Sequence, residues 1–434
     1  MMASLAALAL GMAPHPDTSG RVSKPLPLVR LNLDLPPEER WKELVAPYKD
    51  EFGAVKDYLE QSVPKWALPI AELIAGDLPG YFGDLGLEMK GAAEALEANK
   101  GLVVVMNLMM QLESLGLNCS NWNNTGPTVP DDPGCVAVDP KQQWCYCHDA
   151  AKAGTLPSDR MLRPPPREGP GLCTSIVAQT PEGRIVHGRN LDWNLPMSLR
   201  KLLWDVDFVR NGTVVGRGTG GAGFVGAYNG MVARDLTRAA AGVSSGFSIT
   251  IDARGKGGMP WPNLKQALLH KSLTPSQLLR AVVEECADYA CAVEKLSKGQ
   301  LIDENYYIVA GTQPGEGAVI ARDRTKAADV WSLDAGNASD PSGWYRLQTN
   351  YDHWQPVPKA DDRRTPGYAM MDYLGQKRAT LPNLLTVLTT PPVFNDHTDY
   401  TALLDPTIGY YNSSLWTDPP AAAAAAAAAP VVEA

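Results

Sequence analysis

A chain of 434 residues, 44% hydrophobic and 7% aromatic, is long enough to bury a sizeable core in one large domain or two, which excludes a fibre or a solvated tail. Its 39 Lys and Arg against 48 Asp and Glu leave a net charge of −9 without a basic stripe, so the electrostatic footprint of a nucleic-acid binder is missing. The apolar run LVVVMNLMM at 102–110 and the alanine run at 421–429 are both too short to span a bilayer.

Residues 1–20 read as a signal peptide or leader: an apolar stretch ends in a small-x-small pair at Gly11 and Ala13, although no positive region precedes it. Residues 31–117 read as helical, with apolar positions at helical spacing in ERWKELVAPYKDEFGAVKDYLEQS, PKWALPIAELIAG and GLEMKGAAEALEANKGLVVVMNLMMQLESLG. Such stripes face a packed bundle by default, and a lipid surface is the alternative for one face. Residues 118–170 turn to Asn, Gly, Pro and Cys and read as an exposed, cleavable loop. Cys145-Tyr146-Cys147-His148 lies in it without the second pair a zinc site needs, so disulfides are favoured and neither metal nor cofactor is expected.

After Gly171 the pattern is β-rich. TSIVAQ and RIVHGRN flank the turn Thr180-Pro181-Glu182-Gly183, DVDFV and TVVGRG flank Arg210-Asn211-Gly212, and FSITID, NYYIVAG, GAVIARD, DVWSLD and WYRLQTN follow. Helices intervene: Thr274-Pro275-Ser276-Gln277 has the form of a capping box ahead of LLRAVVEEC, and ADYACAVEKLSKG, TPGYAMMDYLGQ and TLPNLLTVLTT are helical in pattern. Antiparallel strands followed by helices predict an α+β layered domain. The tail 421–434 is low-complexity.

The chemistry gathers at Cys173. With the turn centred between Pro181 and Glu182, antiparallel pairing sets Cys173 opposite Asn190, and Arg189 and Asp192 flank the thiol. Arg189 supplies the positive charge that favours a thiolate, and Asp192 can hold an amine or an amide N–H. No histidine lies beside Cys173 in sequence, but cutting the bond after Leu172 would give it a base of its own, its α-amino group. A buried structural cysteine beside a strand-end ion pair is the alternative. His187 and His353 are the candidates for a cysteine–histidine pair, yet hairpin position alone does not bring the His187 ring to the sulfur.

CTSIVAQ, GRIVHGRNLDW, NYYIVAGTQPGEGAVIARDR, QTNYDHW and DDRRTP, in this order, resemble the acid ceramidase and N-acylethanolamine acid amidase family of N-terminal-nucleophile hydrolases. LNLDLPPEERWKEL at 31–44 and LPGYFGDLGLEMKGAA at 78–93 are similar to the family's propeptide segment. KLLWDVDFVRNGTVV, LIDENYYIVAGT and NYDHWQPVPKADDRRT sit closer to the N-acylethanolamine branch. The resemblance implies an αββα four-layer sandwich with a helical N-terminal segment, divided as leader 1–20, α-chain or propeptide 21–172 with the Cys-rich insert 118–170, catalytic β-chain 173–420 and tail 421–434.

It also implies cleavage between Leu172 and Cys173, with Cys173 as nucleophile, Arg189 and Asp192 beside it, Asn350 in the oxyanion hole and Arg363 as a further active-site arginine. The substrate it implies is a fatty-acid ethanolamide, cut to fatty acid and ethanolamine by an α/β heterodimer. Ceramide as substrate, or a non-catalytic secreted binding protein on the same scaffold, are the alternatives. An acyl tail needs an apolar slot, for which the N-terminal helices and the loop GAGFVGAYNGM, with Phe224 and Tyr228, are the candidate walls. The sequons at Asn118, Asn123, Asn211, Asn337 and Asn412, and six cysteines besides Cys173, agree with an acidic secretory compartment, lysosomal or secreted. The chain departs from the family in the insert, in the alanine tail and at Asp252-Ala253-Arg254, where the family tends to have a central glutamate.

Overall fold

The computed structural model describes residues 21–53, 56, 67–113, 136–139, 144–146, 172–193, 195, 197–233, 245–254, 261–358 and 361–417. The candidate leader, most of the insert including Asn118 and Asn123, and the alanine tail lie outside them.

The N-terminal part begins with two strands, β1 (Val22–Pro25) and β2 (Leu28–Asn32), and continues as α1 (Lys42–Val45), α2 (Ala67–Ala75), α3 (Leu78–Phe82), α4 (Asp84–Ala95) and α5 (Lys100–Glu113). Helical spacing sets the buried face of α4, where Met89, Ala92 and Ala93 line up with Leu96. The carboxylate of Asp77 accepts the Gly80 N–H and starts α3. The strands were not expected. In β2 only Leu31 is buried, so a short edge strand carries too little alternation to stand out from the helical pattern that follows.

The insert contributes a short antiparallel pair, β3 (Val136–Asp139) and β4 (Trp144–Tyr146), where a loop was expected. Next come β5 (Leu172–Gln179), β6 (Ile185–Asp192), α6 (Met197–Arg200), β7 (Leu203–Arg210), β8 (Thr213–Gly221), β9 (Phe224–Val232) and β10 (Phe247–Ala253). Helices α7 (Trp261–Leu268), α8 (Pro275–Glu285) and α9 (Tyr289–Lys298) precede β11 (Asn305–Ala310), β12 (Gly317–Arg322), β13 (Ala327–Ser332) and β14 (Tyr345–Gln348). The chain closes with α10 (Arg364–Leu374), α11 (Leu381–Leu388), β15 (Thr398–Asp405) and β16 (Tyr410–Thr417).

One sheet has the order β1-β16-β15-β6-β5-β14 and a second the order β13-β12-β11-β10-β9-β8-β7-β2. Helices α10 and α11 cover the outer face of the first, where Leu384 and Leu388 pack with Ile176, Val186 and Leu403. Helix α8 covers the second and closes so tightly that Val283 stands where a Cβ on Gly216 or Gly230 would go. Between the sheets Val177 and Ile185 meet Ile308 and Val319. These are the four layers, helix, sheet, sheet, helix, of an α+β sandwich. The N-terminal segment clips both sheets, since β1 pairs antiparallel with β16 and β2 parallel with β7.

The capping box forms, with Gln277 N–H on Thr274 Oγ1 and Thr274 N–H on Gln277 Oε1. GAGFVGAYNGM is not a loop: from Phe224 it is β9, inside the larger sheet, its strand pattern diluted by glycines that let Leu279 and Val283 approach.

Candidate active site

The β5–β6 hairpin carries Cys173 near the start of β5, with its Sγ turned toward the space between the sheets. Pairing is Cys173 with Leu191 and Thr174 with Asn190, one residue from the register expected. The cause is the turn. Thr180 and Arg184 still bond, and Gly183 takes φ +88°, so three residues, Pro181 to Gly183, form the loop and the hairpin is centred on Glu182. A one-residue slip exchanges the faces of a strand. Cys173, Ser175, His187, Arg189 and Leu191 therefore share the inter-sheet face, while Thr174, Asn190 and Asp192 face the helices. Arg189 and Asp192 do not flank the thiol side by side.

On the inter-sheet face the Arg189 guanidinium donates from Nη2 to Cys173 Sγ at 3.2 Å and from Nη1 to the Tyr228 carbonyl at 2.6 Å. Both side chains are buried, Cys173 at 1% and Arg189 at 0% exposure. Burial pushes the Cys173 thiol up to about 11, and the Arg189 charge opposes it without overcoming it. Asp252 completes this face. Its Oδ1 accepts from Ser175 Oγ at 2.7 Å, and burial lifts its carboxyl to about 7 against the pull of Arg189. His187 holds Ser248 Oγ at 2.9 Å and Thr250 Oγ1 at 3.0 Å, and burial followed by the Arg189 charge lowers its pKa to about 3. It is a neutral structural imidazole. His353 stacks on Trp331 and stands 3.9 Å from Asp329.

On the other side Arg363, at the N-terminus of α10, gathers the main chain and the carboxylates. It donates to the Cys173 carbonyl at 2.6 Å, Thr174 Oγ1 at 3.0 Å, Asn350 Oδ1 at 2.7 Å and Asp192 Oδ2 at 3.3 Å, and it pairs with Asp361. Asp192 also accepts from Thr398 Oγ1 at 2.7 Å and Asn395 Nδ2 at 3.3 Å; burial raises it to about 6 in spite of Arg363. The Cys173 N–H is held by Asn350, whose Oδ1 accepts it at 2.8 Å. With two donors on Oδ1, the amide is oriented so that Nδ2 points to the Ala253 carbonyl at 2.8 Å. Since Asn350 is anchored by the main chain of Ala253, the missing glutamate side chain at 253 does not disturb it.

Phe224 and Tyr228 stack at 4.5 Å between centroids and both are buried, with Trp193 edge-on to Tyr228. Cys286 and Cys291 form a disulfide between the end of α8 and the start of α9, and Cys173 is the one free cysteine among the described residues. Asn211 and Asn337 are exposed and Asn412 is half-buried in β16. In the sequence Asp252 stands out only within the departure Asp252-Ala253-Arg254. Its signal was the stripe Ser248, Thr250, Asp252, polar at period two in a strand buried on both faces.

Two facing sheets under helices, with a cysteine at a strand start between a guanidinium and an asparagine amide, are the arrangement of an N-terminal-nucleophile amide hydrolase. A family model described as linear amide C–N hydrolases, choloylglycine hydrolase family, matches residues 173–382, and one described as the beta subunit of N-acylethanolamine-hydrolyzing acid amidase matches 24–82. The chain is 34% identical to the N-acylethanolamine-hydrolyzing acid amidase of Rattus norvegicus, over 87% of this chain and 85% of that one. It is 28% identical to the acid ceramidase of Homo sapiens, over 92% and 89%. A solved chain of the Caenorhabditis elegans ortholog of the acid amidase matches 54% of this chain and 94% of its own at 32% identity and TM-score 0.46. The chain belongs to the N-acylethanolamine-hydrolyzing acid amidase and acid ceramidase family, and it is a hydrolase of linear amide C–N bonds.

Proposed function

We propose that the protein is a self-cleaving acid amidase that hydrolyses fatty-acid ethanolamides, with Cys173 as nucleophile. The observation that carries this reading is the double hold on Cys173: its Sγ lies on Arg189 and its main-chain N on Asn350 Oδ1. β5 runs through the Leu172–Cys173 bond, so that nitrogen is a peptide N–H as described. In the precursor, Sγ attacks the Leu172 carbonyl, the C–N bond breaks as the acyl group passes to sulfur, and the nitrogen takes up a proton. Water then hydrolyses the thioester, leaving Leu172 with a carboxylate and Cys173 with a free α-amine.

In the mature enzyme the α-amine takes the Sγ proton, and the sulfur attacks the substrate carbonyl. Asn350 Nδ2, which carries a second N–H besides the one on the Ala253 carbonyl, and a backbone N–H hold the oxyanion, and the ammonium returns its proton to the departing ethanolamine. The same amine then activates the water that releases the fatty acid from sulfur. Arg189 favours the thiolate. Arg363 fixes the Cys173 carbonyl, Asn350 and Asp192 in one array, so Asp192 supports the site from the helix side and Asn350 is the partner of the amine. The family match that begins at residue 173 is consistent with a boundary between an N-terminal α chain and a catalytic β chain. Phe224 and Tyr228 are proposed to line the acyl slot beside α5, and the enzyme is placed in an acidic secretory compartment, in keeping with its disulfide and its exposed sequons.

The test is a panel of one fatty acid linked to ethanolamine or to sphingosine. The reading expects faster turnover of the ethanolamide and a fatty-acyl mass on the peptide that begins at Cys173 after acid quench. Preferential turnover of the ceramide would move the chain to the other branch of the family. An acyl mass on any other residue would remove Cys173 as nucleophile.

A further inference from the structure

The apolar run of α5 contains one polar side chain at its centre. Asn107 is 2% exposed between Met106 and Leu108, where an uncompensated carboxamide would be strongly unfavourable. Its Nδ2 donates to the Val103 carbonyl of its own helix at 2.8 Å and to the Gly223 carbonyl at 2.8 Å, and its Oδ1 accepts the Val225 N–H at 2.9 Å. Gly223 lies in the turn between β8 and β9 and Val225 is the second residue of β9, both beyond the scission point in the chain. Asn107 thus completes, from the N-terminal part, the main-chain bonding of a turn in the catalytic part.

The same turn is pressed from that side. Gly223 has φ +83°, and a Cβ on it would lie 2.8 Å from Phe52 and 3.2 Å from Met106 Sδ. The Val225 carbonyl accepts from Arg280 Nη1 at 2.7 Å, and Arg280 is held in turn by Glu88 of α4. From this turn β9 runs through Phe224, stacked on Tyr228, to the Tyr228 carbonyl that receives Arg189 Nη1. The other nitrogen of that guanidinium is the one on Cys173 Sγ.

We propose that Asn107 is a positioning residue of the amidase: its carboxamide fixes the β8–β9 turn and, through the Tyr228 carbonyl, the aim of Arg189 at the Cys173 sulfur. The N-terminal helices therefore take part in setting thiol reactivity and are not only a cover or a spent propeptide. This rests on the reading of Cys173 as nucleophile. Nothing in the helix calls for an asparagine at 107, because a leucine would fill the same volume without a buried amide; the turn calls for it.

The experiment uses the full chain after acid maturation and compares Asn107→Leu, Asn107→Asp and Val45→Ala with the parent. Val45 is a fully buried residue of the N-terminal part whose truncation loosens the same core without touching the turn's hydrogen bonds. The measurements are kcat, KM and the rate of iodoacetamide alkylation of Cys173, followed on its peptide by mass spectrometry well below the melting temperature of every variant. Asn107→Leu is expected to lower kcat and the alkylation rate together by roughly tenfold or more, because a misplacement of an ångström at a reacting group is worth up to about 100-fold.

Asn107→Asp keeps the acceptor for Val225 and loses the donor to Gly223, so it falls between parent and leucine variant, and it carries the test if the leucine variant does not fold. Val45→Ala keeps parental kcat and alkylation. The proposal is overturned if the foldable Asn107 variants keep parental kcat and alkylation, or if Val45→Ala lowers both as much as they do. Failure of the underlying reading shows separately, as amidase activity retained by Cys173→Ala.

Discussion

The two faces of the β5–β6 hairpin are built from alternate residues of the same strands, and they are chemically unlike. The inter-sheet face carries Cys173 Sγ, Arg189, Ser175 and His187 with Asp252 opposite, a buried seam that acts on the charge of one sulfur. The helix face carries Thr174, Asn190 and Asp192 under Arg363, a polar scaffold that holds main-chain atoms and the Asn350 amide. The pleat separates the two groups: residues around the thiol differ from those on the helix side that lead to its main-chain nitrogen and carbonyl by one position in sequence. Two buried guanidiniums stand close to one cysteine without competing, because each is on its own side of the sheet.

The comparison is broken most forcefully at the residue both faces share. Cys173→Ala is expected to lose at least ~10⁴-fold in amidase turnover and to stay a single chain on acidification, read by a chromatographic fatty-acid assay and by gel. Next come the two arginines. Arg189→Leu removes the opposite charge at the sulfur and should raise the Cys173 thiol pKa further, seen as slower alkylation across the pH range. Arg363→Leu should shift that profile by much less while slowing scission after Leu172, because its bonds are to the Cys173 carbonyl and Asn350. Equal shifts from both variants would mean that the faces do not divide the work.

A smaller effect concerns stability. Burial raises Asp192, Asp252 and Asp399 to about 6, 7 and 8, from an ordinary 3.8. A carboxyl raised in the folded state binds its proton more tightly there than when unfolded. Its contribution to stability is full below about pH 4 and is lost as pH rises through 6 to 8. Glu88 has the opposite sign: burial would raise it, but Arg280 with its hydrogen-bonding neighbours lowers it, so its contribution is lost as pH falls through that lowered value. The melting temperature should therefore be higher at pH 5 than at pH 8, measured by calorimetry in matched ionic strength. A melting temperature that rises steadily to pH 8 would contradict this. The smallest effect is at His187, where replacement by alanine should leave the shape of the pH–rate profile unchanged, since burial keeps the ring neutral down to about pH 3 and its nitrogens bond to Ser248 and Thr250.

How far the sequence carried these conclusions depends on how local each signal is. The cysteine, the hairpin and the capping box at Thr274 were legible because their signals lie within a few residues. The register slipped by one because a four-residue turn and a three-residue loop closed by Gly183 look alike in sequence, and the slip was enough to put Arg189 and Asp192 on the wrong faces. Strand β9 resembles a loop in sequence because its glycines, there to admit α8, weaken the strand pattern. Asp252 and Asn107 were passed over for a common reason: their partners are far along the chain, and a buried polar residue explains itself only when the atoms it satisfies are known. Arg363 and Asn350 were found through the family resemblance, since nothing nearby in sequence marks a loop asparagine as the partner of a distant main-chain nitrogen.

The most direct measurement is mass spectrometry of the protein before and after acidification, with the new chain sequenced from its amino end. The account predicts a fragment that starts at Cys173 with a free α-amine, appearing in step with amidase activity. Full activity from a chain in which residue 173 is still joined to Leu172, or in which its sulfur is bonded to another cysteine, would contradict it.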